Sequence, residues 1–205
     1  MAKQGILIVL SGPSGAGKGT ICQALLRSNP ELNYSISATT RAPRTGEVDG
    51  VNYLFVSRTE FQNMIEKDQL LEWAEVYGNF YGTPCQHITE MLQSGKDVVL
   101  EIDRQGAMQI KKKFPEGVCI YIVPPSMDEL ANRIYKRGTD SLETIKTRLG
   151  SANEELTYIR NYNYVVVNDE VESATQKVAA IIIAEKCQVG RNINIVENIL
   201  SNVKK

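Results

Sequence analysis

A glycine-rich segment near the start of the chain places a lysine and a threonine at the spacing of a phosphate-binding loop. Residues 11–20 have the sequence Ser-Gly-Pro-Ser-Gly-Ala-Gly-Lys-Gly-Thr. The glycines let successive backbone N–H groups turn toward one anion, and Lys18 would bring a mobile positive charge to the outer phosphates of a nucleotide. The apolar run 5–10 predicts a buried strand before the segment, and residues 21–28 predict a helix whose amino end adds partial positive charge. The predicted nucleotide contacts are Gly12, Pro13, Ser14, Gly15, Ala16, Gly17, Lys18, Gly19 and Thr20.

The residue after the lysine departs from the usual form of this motif. A serine or threonine normally follows the lysine, whereas Gly19 follows Lys18 here and Thr20 comes next. Thr20 is therefore the candidate for a magnesium contact, either directly or through a water molecule. The alternative is a glycine-rich turn between a strand and a helix that binds no ligand.

A second candidate for anion binding is a loop that holds two arginines three residues apart. Arg41 and Arg44 flank Pro43, which stiffens the loop, and guanidinium groups bind phosphate oxygens in a bidentate manner. Tyr53 and Tyr81 would add hydroxyl donors to the same anion. The alternative is a solvated basic loop beside tyrosines of the core.

Composition and charge fit a globular protein with one large domain and argue against several classes of function. The 205 residues are 42% hydrophobic and 23% charged, with a formal net charge of -1, which gives no overall basic field for nucleic acid. No apolar stretch is long enough to span a bilayer, and no apolar leader follows a basic start. We therefore expect a cytoplasmic protein with no membrane or nucleic-acid partner. The cysteines are widely spaced, which argues against a zinc site or a disulfide framework and predicts reduced thiols: Cys22, Cys85, Cys119 and Cys187.

Apolar strands and helices alternate along most of the chain, a pattern typical of an α/β fold with a parallel sheet. Short strands interrupt the alternation over residues 37–93 and predict a small mixed sheet, with two strands meeting at the turn of residues 78–79. Residues 188–205 predict either a short docking helix or a loose tail. The other predicted strands cover 33–37, 53–56, 97–103, 118–123 and 164–167, a loop covers 38–52, and predicted helices cover 59–67, 84–93, 106–113, 126–135, 142–158 and 171–186.

Further motifs, in the family's order along the chain, resemble those of guanylate kinases. Together they extend over about residues 4–186 and are far more specific than the phosphate-binding loop alone. The lysine-glycine-threonine variant of that loop also occurs in nucleoside monophosphate kinases. The other motifs are Ser-Ala-Thr-Thr-Arg-Ala-Pro-Arg-Thr-Gly-Glu over 37–47 with Gly50 and Tyr53, Glu72-Trp73-Ala74, Tyr81-Gly82-Thr83, Glu101-Ile102-Asp103-Arg104-Gln105-Gly106, Arg133 to Thr139, and Val167-Asn168-Asp169.

The resemblance implies a P-loop α/β/α core of three layers with a parallel sheet, an inserted GMP-binding region with a small mixed sheet, and a helical lid. The implied bounds are 4–36, 94–135 and 160–186 for the core, 37–93 for the GMP-binding region, 136–159 for the lid and 187–205 for a carboxyl-terminal tail. The implied activity is Mg²⁺-dependent phosphorylation of GMP, and of dGMP, by ATP through direct in-line transfer. This reaction belongs to purine nucleotide metabolism and GMP recycling. Whether the enzyme is a monomer or a homo-oligomer stays open.

The resemblance also implies which residues bind GMP. Those that would hold its phosphate are Arg41, Arg44, Tyr53 and Tyr81, and those that would surround its base are Ser37, Glu72, Thr83 and Asp103. The chemistry agrees, because a carboxylate accepts hydrogen bonds from guanine N1–H and the 2-amino group together, and a hydroxyl donates to O6. Local sequence alone leaves two alternatives, in which Glu72 is a surface carboxylate on an edge strand and Asp103 is the N-cap of a helix.

On the ATP side the resemblance implies a lid whose arginines close over the phosphates. Arg133 and Arg137 lie one helical turn apart, and Arg148 follows on the next helix. The alternative is a set of arginines on a helix surface. Asn168, just after the last strand, would lie near the adenine. The implied catalytic residues are Lys18, Arg41, Arg137 and Arg148.

Two other functions stay open on the sequence. An enzyme of the same fold would act on another acceptor, such as a different nucleotide or a phosphorylated sugar, although the paired guanine-binding groups argue against this. Alternatively, guanylate-kinase-like domains of scaffold proteins bind peptides and have lost catalysis. Such a domain should have a damaged phosphate-binding loop and missing arginines, whereas this chain retains Gly12, Gly17, Lys18, Arg41, Arg44, Arg137 and Arg148.

Overall fold

A computed structural model describes residues 4–136 and 142–203 and arranges them around two sheets. The strands are β1 (Leu7–Ser11), β2 (Asn33–Tyr34), β3 (Ala38–Thr39), β4 (Leu54–Phe55), β5 (Leu70–Val76), β6 (Asn79–Pro84), β7 (Val98–Glu101), β8 (Val118–Val123) and β9 (Tyr164–Val167). The helices are α1 (Lys18–Ser28), α2 (Arg58–Glu66), α3 (Cys85–Gln93), α4 (Arg104–Lys113), α5 (Met127–Lys136), α6 (Leu142–Thr157), α7 (Val171–Lys186) and α8 (Val189–Val203), with a 3₁₀ turn at Tyr158–Asn161.

The larger sheet has five parallel strands in the order β2-β7-β1-β8-β9. β1 is buried along its whole length because it lies in the middle, where Val9 pairs with Leu100 on one side and Cys119 on the other. Successive side chains of a strand point to opposite faces, so Ile8 packs with α1 and α7 while Val9 packs with α3 and α4. Helices thus cover both faces of the sheet, which confirms the predicted three-layer α/β fold.

The smaller sheet lies within residues 38–84 and has the order β4-β3-β6-β5. β3 pairs parallel with β4 and antiparallel with β6, and β6 pairs antiparallel with β5. The sheet has an apolar core of its own, in which Leu70 is buried and Phe61 of α2 stacks on Phe80 with ring centroids 5.4 Å apart. The predicted small mixed sheet is therefore confirmed.

The prediction of one strand over 33–37 is wrong. Two short strands lie there instead: β2 pairs with β7 in the parallel sheet, and β3 begins at Ala38, inside the predicted loop, and pairs with β6 in the mixed sheet. The chain passes from one sheet to the other between them, a change of partner that no local pattern of apolar residues reveals. By contrast, β8, β9 and α7 have the predicted bounds.

The last described segment is the helix α8 rather than a loose tail. Its first turn is fastened to the parallel-sheet core by Arg191, which donates to Glu116 O at 2.6 Å and pairs with Glu185 at 3.5 Å. Further along, Ile195 and Ile199 are more than half exposed. Within the described ranges, neither α8 nor any other helix has both the length and the apolarity needed to cross a membrane.

Candidate active site

A cavity of about 580 Å³ opens at the carboxyl edge of the parallel sheet, between that sheet, the mixed sheet and α6. β1 ends here in the glycine-rich loop, and β7 ends here in Glu101, with Asp103 just beyond. Ligands of open α/β sheets bind at this edge, because the loops that follow the parallel strands meet there. The volume suits ligands of nucleotide size.

Most of the residues predicted to bind ligands line this cavity. They are Gly12, Ser14, Gly15, Gly17, Lys18, Gly19, Thr20, Ser37, Arg44, Tyr53, Glu72, Tyr81, Asp103 and Arg133. Other predicted residues adjoin this set without lining the cavity: Pro13, Ala16, Arg41, Thr83 and Asn168. Arg137 lies outside the described residues, as does the side chain of Arg148.

The glycine-rich loop is shaped so that main-chain groups face the cavity. Gly17 has φ 91°, in the left-handed region, and it immediately precedes α1, whose N-cap makes no side-chain hydrogen bond. The amino end of α1 is therefore suited to bind an anion. A side chain at Gly12 or Gly17 would collide with its surroundings, because a Cβ would lie 2.1 Å from Ile122 O or 2.2 Å from Asn168 Nδ2.

The side chain of Lys18 folds over this loop. Its Nζ donates to the carbonyl oxygens of Gly12 at 2.6 Å and of Pro13 at 3.1 Å. The ammonium group is thus held beside the N–H groups that would receive an anion, which adds a full positive charge to their partial charges.

Asn168 supports the loop from behind. It is 2% exposed, and its Nδ2 donates to Ala16 O at 2.7 Å, while its backbone carbonyl oxygen accepts from Arg133 Nη2 at 3.0 Å. Sequence reasoning missed this supporting role, since Ala16 lies 152 positions away and nothing in the local sequence links the two residues. The predicted contact between Asn168 and adenine stays a prediction.

Glu72 is the buried acid of the opposite end of the cavity. It is 3% exposed, accepts a 2.5 Å hydrogen bond from the Thr83 hydroxyl at Oε1, and lies with Oε2 against Gly106, where a Cβ would come within 2.1 Å. Burial raises the pKa of Glu72 to about 7; the Thr83 hydrogen bond lowers it, Asp103 raises it and the charge of Lys113 lowers it. The alternative of a surface carboxylate is therefore wrong.

Asp103 is a helix N-cap whose carboxyl group also faces the cavity, and its contact with the base stays a prediction. It is the N-cap of α4, where its carboxylate accepts from Gly106 N–H at 2.9 Å, and it also lines the cavity. Burial raises its pKa, although the Gly106 N–H and the charge of Lys18 act in the opposite direction. The first turn of α4 therefore presents one carboxyl group to the ligand space, with its orientation fixed by the helix.

The two arginines of the second anion-binding loop differ in their surroundings. Arg44 lines the cavity, as do Tyr53 and Tyr81. Arg41 is held instead by Glu47, through two hydrogen bonds of 2.9 Å, with its guanidinium carbon 5.4 Å from the centre of the Tyr53 ring. The structure therefore brings the two tyrosines and Arg44 to one wall, and a phosphate contact of Arg41 stays a prediction.

Charged residues outside the predicted binding set also line the cavity, among them Glu101, for which the sequence left a metal or water contact and a structural role open. Glu101 lies against Gly19, where a Cβ would come within 3.3 Å of Oε2, so a serine or threonine at that position would crowd the carboxylate. Arg104, next to Asp103, stacks 3.9 Å above the ring of Tyr158. Glu154 of α6 pairs with Arg104 at 3.7 Å. These contacts join the first turn of α4 to the end of α6 across the rim.

Comparisons with known proteins agree with this arrangement. The guanylate kinase family model matches residues 4–185. The guanylate kinase of Caldanaerobacter subterraneus subsp. tengcongensis is 63% identical over 93% of this chain and 92% of its own length. That of Desulfitobacterium hafniense is 62% identical over 91% of this chain and 94% of its own. A crystal structure of guanylate kinase from Anaplasma phagocytophilum superposes with a TM-score of 0.80 at 34% identity, covering 93% of this chain and 91% of that one.

Proposed function

The chain belongs to the guanylate kinase family, and from this membership and its cavity we propose that it transfers the terminal phosphoryl group of ATP to GMP. The products are ADP and GDP. Since GMP and dGMP share the base and the 5′-phosphate, dGMP is a second acceptor. The reaction returns GMP to the diphosphate level in purine nucleotide metabolism, in the cytoplasm.

The buried Glu72 is the observation that supports GMP as the phosphoryl acceptor. Guanine presents N1–H and a 2-amino group side by side, and one carboxylate accepts both hydrogen bonds. Thr83 and Gly106 hold this carboxylate in place, and Ser37 lines the same end of the cavity as a donor for O6. Adenine carries an acceptor at N1 and would leave the buried carboxylate without a hydrogen-bond donor from the base. An unpaired buried polar group costs more binding free energy than the loss of a solvent-exposed contact.

The phosphate of GMP needs cations and hydroxyl donors rather than a base. A phosphate oxygen is already anionic, so no side chain has to remove a proton before attack. Arg44, Tyr53 and Tyr81 are the donors on the cavity wall, and Arg41 beside Tyr81 completes the set. Burial raises the pKa of Tyr53 to about 12, helped by the charge of Glu101, so its hydroxyl keeps the proton that it donates.

ATP occupies the glycine-rich end in this proposal. The N–H groups at the start of α1 bind its phosphates, and Lys18 turns from its two carbonyl partners to the outer phosphates. Arg133 lines the cavity. The resemblance implies that Arg137 and Arg148 of the lid also act on the phosphates in catalysis. The buried Oδ1 of Asn168, which has no hydrogen-bond partner among the described residues, is the acceptor offered to the adenine amino group.

Magnesium enters with ATP in this proposal. Among the described residues, no cluster of three or more histidine, cysteine or acidic side chains is placed to hold a metal. This fits Mg²⁺, which is commonly held by substrate phosphates and one or two protein oxygens. Thr20 and Glu101 line the cavity beside the loop and would supply those oxygens. The bound ion would offset negative charge on the transferred phosphoryl group.

The test is steady-state ADP formation from ATP and Mg²⁺ with GMP, dGMP, AMP, CMP or UMP as acceptor. We expect turnover with GMP and dGMP, with a preference over AMP of roughly 10⁴-fold or more because of the unpaired acid. The matched variant Glu72→Gln should lose most of the turnover with GMP while still binding ATP. Turnover with another acceptor would discard the base assignment. Binding without turnover for any acceptor would favour a non-catalytic binding module.

A further inference from the structure

Three side chains of helix α4 form hydrogen bonds with backbone atoms of β5, along the edge of β5 that faces no other strand. The side chains lie four residues apart on the helix, and their partners are alternate residues of the strand. The bonds are Gln105 Nε2 to Glu75 O at 3.4 Å, Gln109 Nε2 to Trp73 O at 2.6 Å, Trp73 N to Gln109 Oε1 at 3.2 Å, and Lys113 Nζ to Leu71 O at 2.7 Å. We call these three side chains the α4 stripe.

The spacing of the stripe follows from the geometry of the two elements. Four residues of an α-helix advance about 6 Å, and two residues of a strand advance about 6.7 Å. β5 is the last strand of its sheet, so the N–H and C=O groups on its outer edge have no strand to pair with. Gln109 replaces a strand residue there, because its amide both donates to Trp73 and accepts from it, as in an antiparallel pair.

The stripe has a consequence for the buried acid. Glu72 lies on β5 between two of the bonded residues, and its Oε2 lies against Gly106 on the same helix. The separation and register of α4 and β5 therefore determine where this carboxylate points. Gln109 fixes the neighbouring residue Trp73 and does not itself line the cavity.

We propose that Gln109 is a positioning residue for guanine recognition, which holds the β5 backbone so that the Glu72 carboxylate meets the base edge. This inference rests on the proposed function. Trp73 lies at an exposed edge, where water can replace the lost hydrogen bonds. Removal of the Gln109 amide should therefore loosen the register of β5 more than it destabilises the fold.

The experiment compares Gln109→Met with the control Lys112→Met, which places the same side chain at an exposed position of α4 outside the stripe. Calorimetric titration gives the dissociation constants of GMP and of ATP separately, and steady-state rates give kcat and KM. We expect Gln109→Met to weaken GMP binding roughly tenfold, because a small misplacement of an orienting group has effects of this size or larger. ATP binding and kcat at saturating GMP should change less than about twofold, as should all constants of Lys112→Met.

Two results would overturn the inference: unchanged GMP binding in Gln109→Met, or equal losses for GMP and ATP together with a lower Tm. If Gln109→Met does not fold, Gln109→Glu takes its place, since it keeps the acceptor for Trp73 N–H and loses only the donor; it should weaken GMP binding alone. The unmodified protein separates the two proposals. If the unmodified protein and the Gln109 variants bind GMP equally well, the positioning role of Gln109 is wrong and the proposed function stands. If the unmodified protein does not bind GMP, the proposed function is wrong and the positioning role is wrong with it.

Discussion

The two ends of the cavity are built in different ways. The phosphate end, where we propose that ATP phosphates bind, comes from consecutive residues of a glycine-rich loop and the start of α1. The base end comes from separate segments, and its central group is the Glu72 side chain, buried between β6 and α4. In the proposed function one end therefore recognises charge through backbone geometry, whereas the other recognises a hydrogen-bond pattern through a carboxyl group whose protonation depends on its surroundings. The two ends should respond differently to side-chain loss, added bulk and pH.

The largest effect should come from Lys18→Met at the phosphate end. The change removes the mobile charge that would neutralise the transferred phosphoryl group but leaves the backbone donors, so kcat should fall by roughly 10³-fold or more. GMP binding and Tm should stay close to those of the unmodified protein, because the Lys18 ammonium group belongs to the glycine-rich end, where it donates to Gly12 O at 2.6 Å and to Pro13 O at 3.1 Å. Steady-state assays measure kcat, and calorimetry measures GMP binding and Tm. A near-normal kcat would contradict the proposed role of the lysine.

Gly106→Ala should have the next largest effect, confined to the base end. The added Cβ would lie 2.1 Å from Glu72 Oε2, so the carboxylate must move, and GMP binding should weaken by roughly 10²-fold with ATP binding nearly unchanged. Gly150→Ala on α6 is the matched control, since no atom lies within 4 Å of its Cβ position. The control should raise the free energy of unfolding by up to about 1 kcal/mol, because alanine has a higher helix propensity than glycine. Its binding of GMP and ATP should not change. Equal losses of GMP and ATP binding in Gly106→Ala would remove the distinction between the ends.

A smaller effect should appear in the pH dependence of GMP binding. Because burial raises the pKa of Glu72 to about 7, the ionised acceptor is lost as the pH falls through that value. GMP affinity should then fall by up to about tenfold for each pH unit below 7, while Glu72→Gln should bind weakly without that slope. Calorimetric titrations of GMP between pH 6 and 8 measure this dependence. An equal dependence of GMP affinity on pH in the unmodified protein and in Glu72→Gln would contradict the assignment.

The same group affects stability in a defined direction. A carboxyl whose folded pKa lies above its unfolded value stabilises the fold below the unfolded pKa, and this contribution is lost as the pH rises through the folded pKa. For Glu72 the window runs from 4.5 to about 7. Glu72→Gln should therefore gain stability relative to the unmodified protein on going from pH 4.5 to pH 8, by on the order of 2–3 kcal/mol. Denaturant unfolding at the two pH values checks the sign.

The difference between the ends also explains what could be predicted from sequence. The strand, loop and helix of the phosphate end are local, so residues 5–28 were enough to predict them. The resemblance to a known family implied that Glu72 meets the base, but its burial depends on Thr83 and Gly106, which are not its neighbours in sequence, and was not predicted. Apolar patterning cannot show which sheet a strand joins, and for that reason it predicts one strand over 33–37, where β2 and β3 belong to different sheets.

Contacts between polar side chains were the least predictable part of the site. Arg41 was expected at a phosphate. Its Nη2 donates to both carboxylate oxygens of Glu47, six residues away, and this pairing depends on a loop conformation that composition does not specify. Arg104 adjoins a predicted site residue, yet its stacking on Tyr158 needs the end of α6 to reach the first turn of α4. Such contacts follow from tertiary packing, which local spacing does not contain.

Trp73 is the single tryptophan of the chain, and its position makes it an internal optical probe. Trp73 follows Glu72 directly, and its backbone is hydrogen-bonded to Gln109 of the α4 stripe. Its indole packs edge-on against the Phe80 ring, with ring centroids 5.9 Å apart, and the residue is 37% exposed. The wavelength of its fluorescence emission and its accessibility to quenchers therefore report the solvation of the region next to the buried Glu72. Fluorescence can thus follow events at the base end in real time without a label or a change to the sequence.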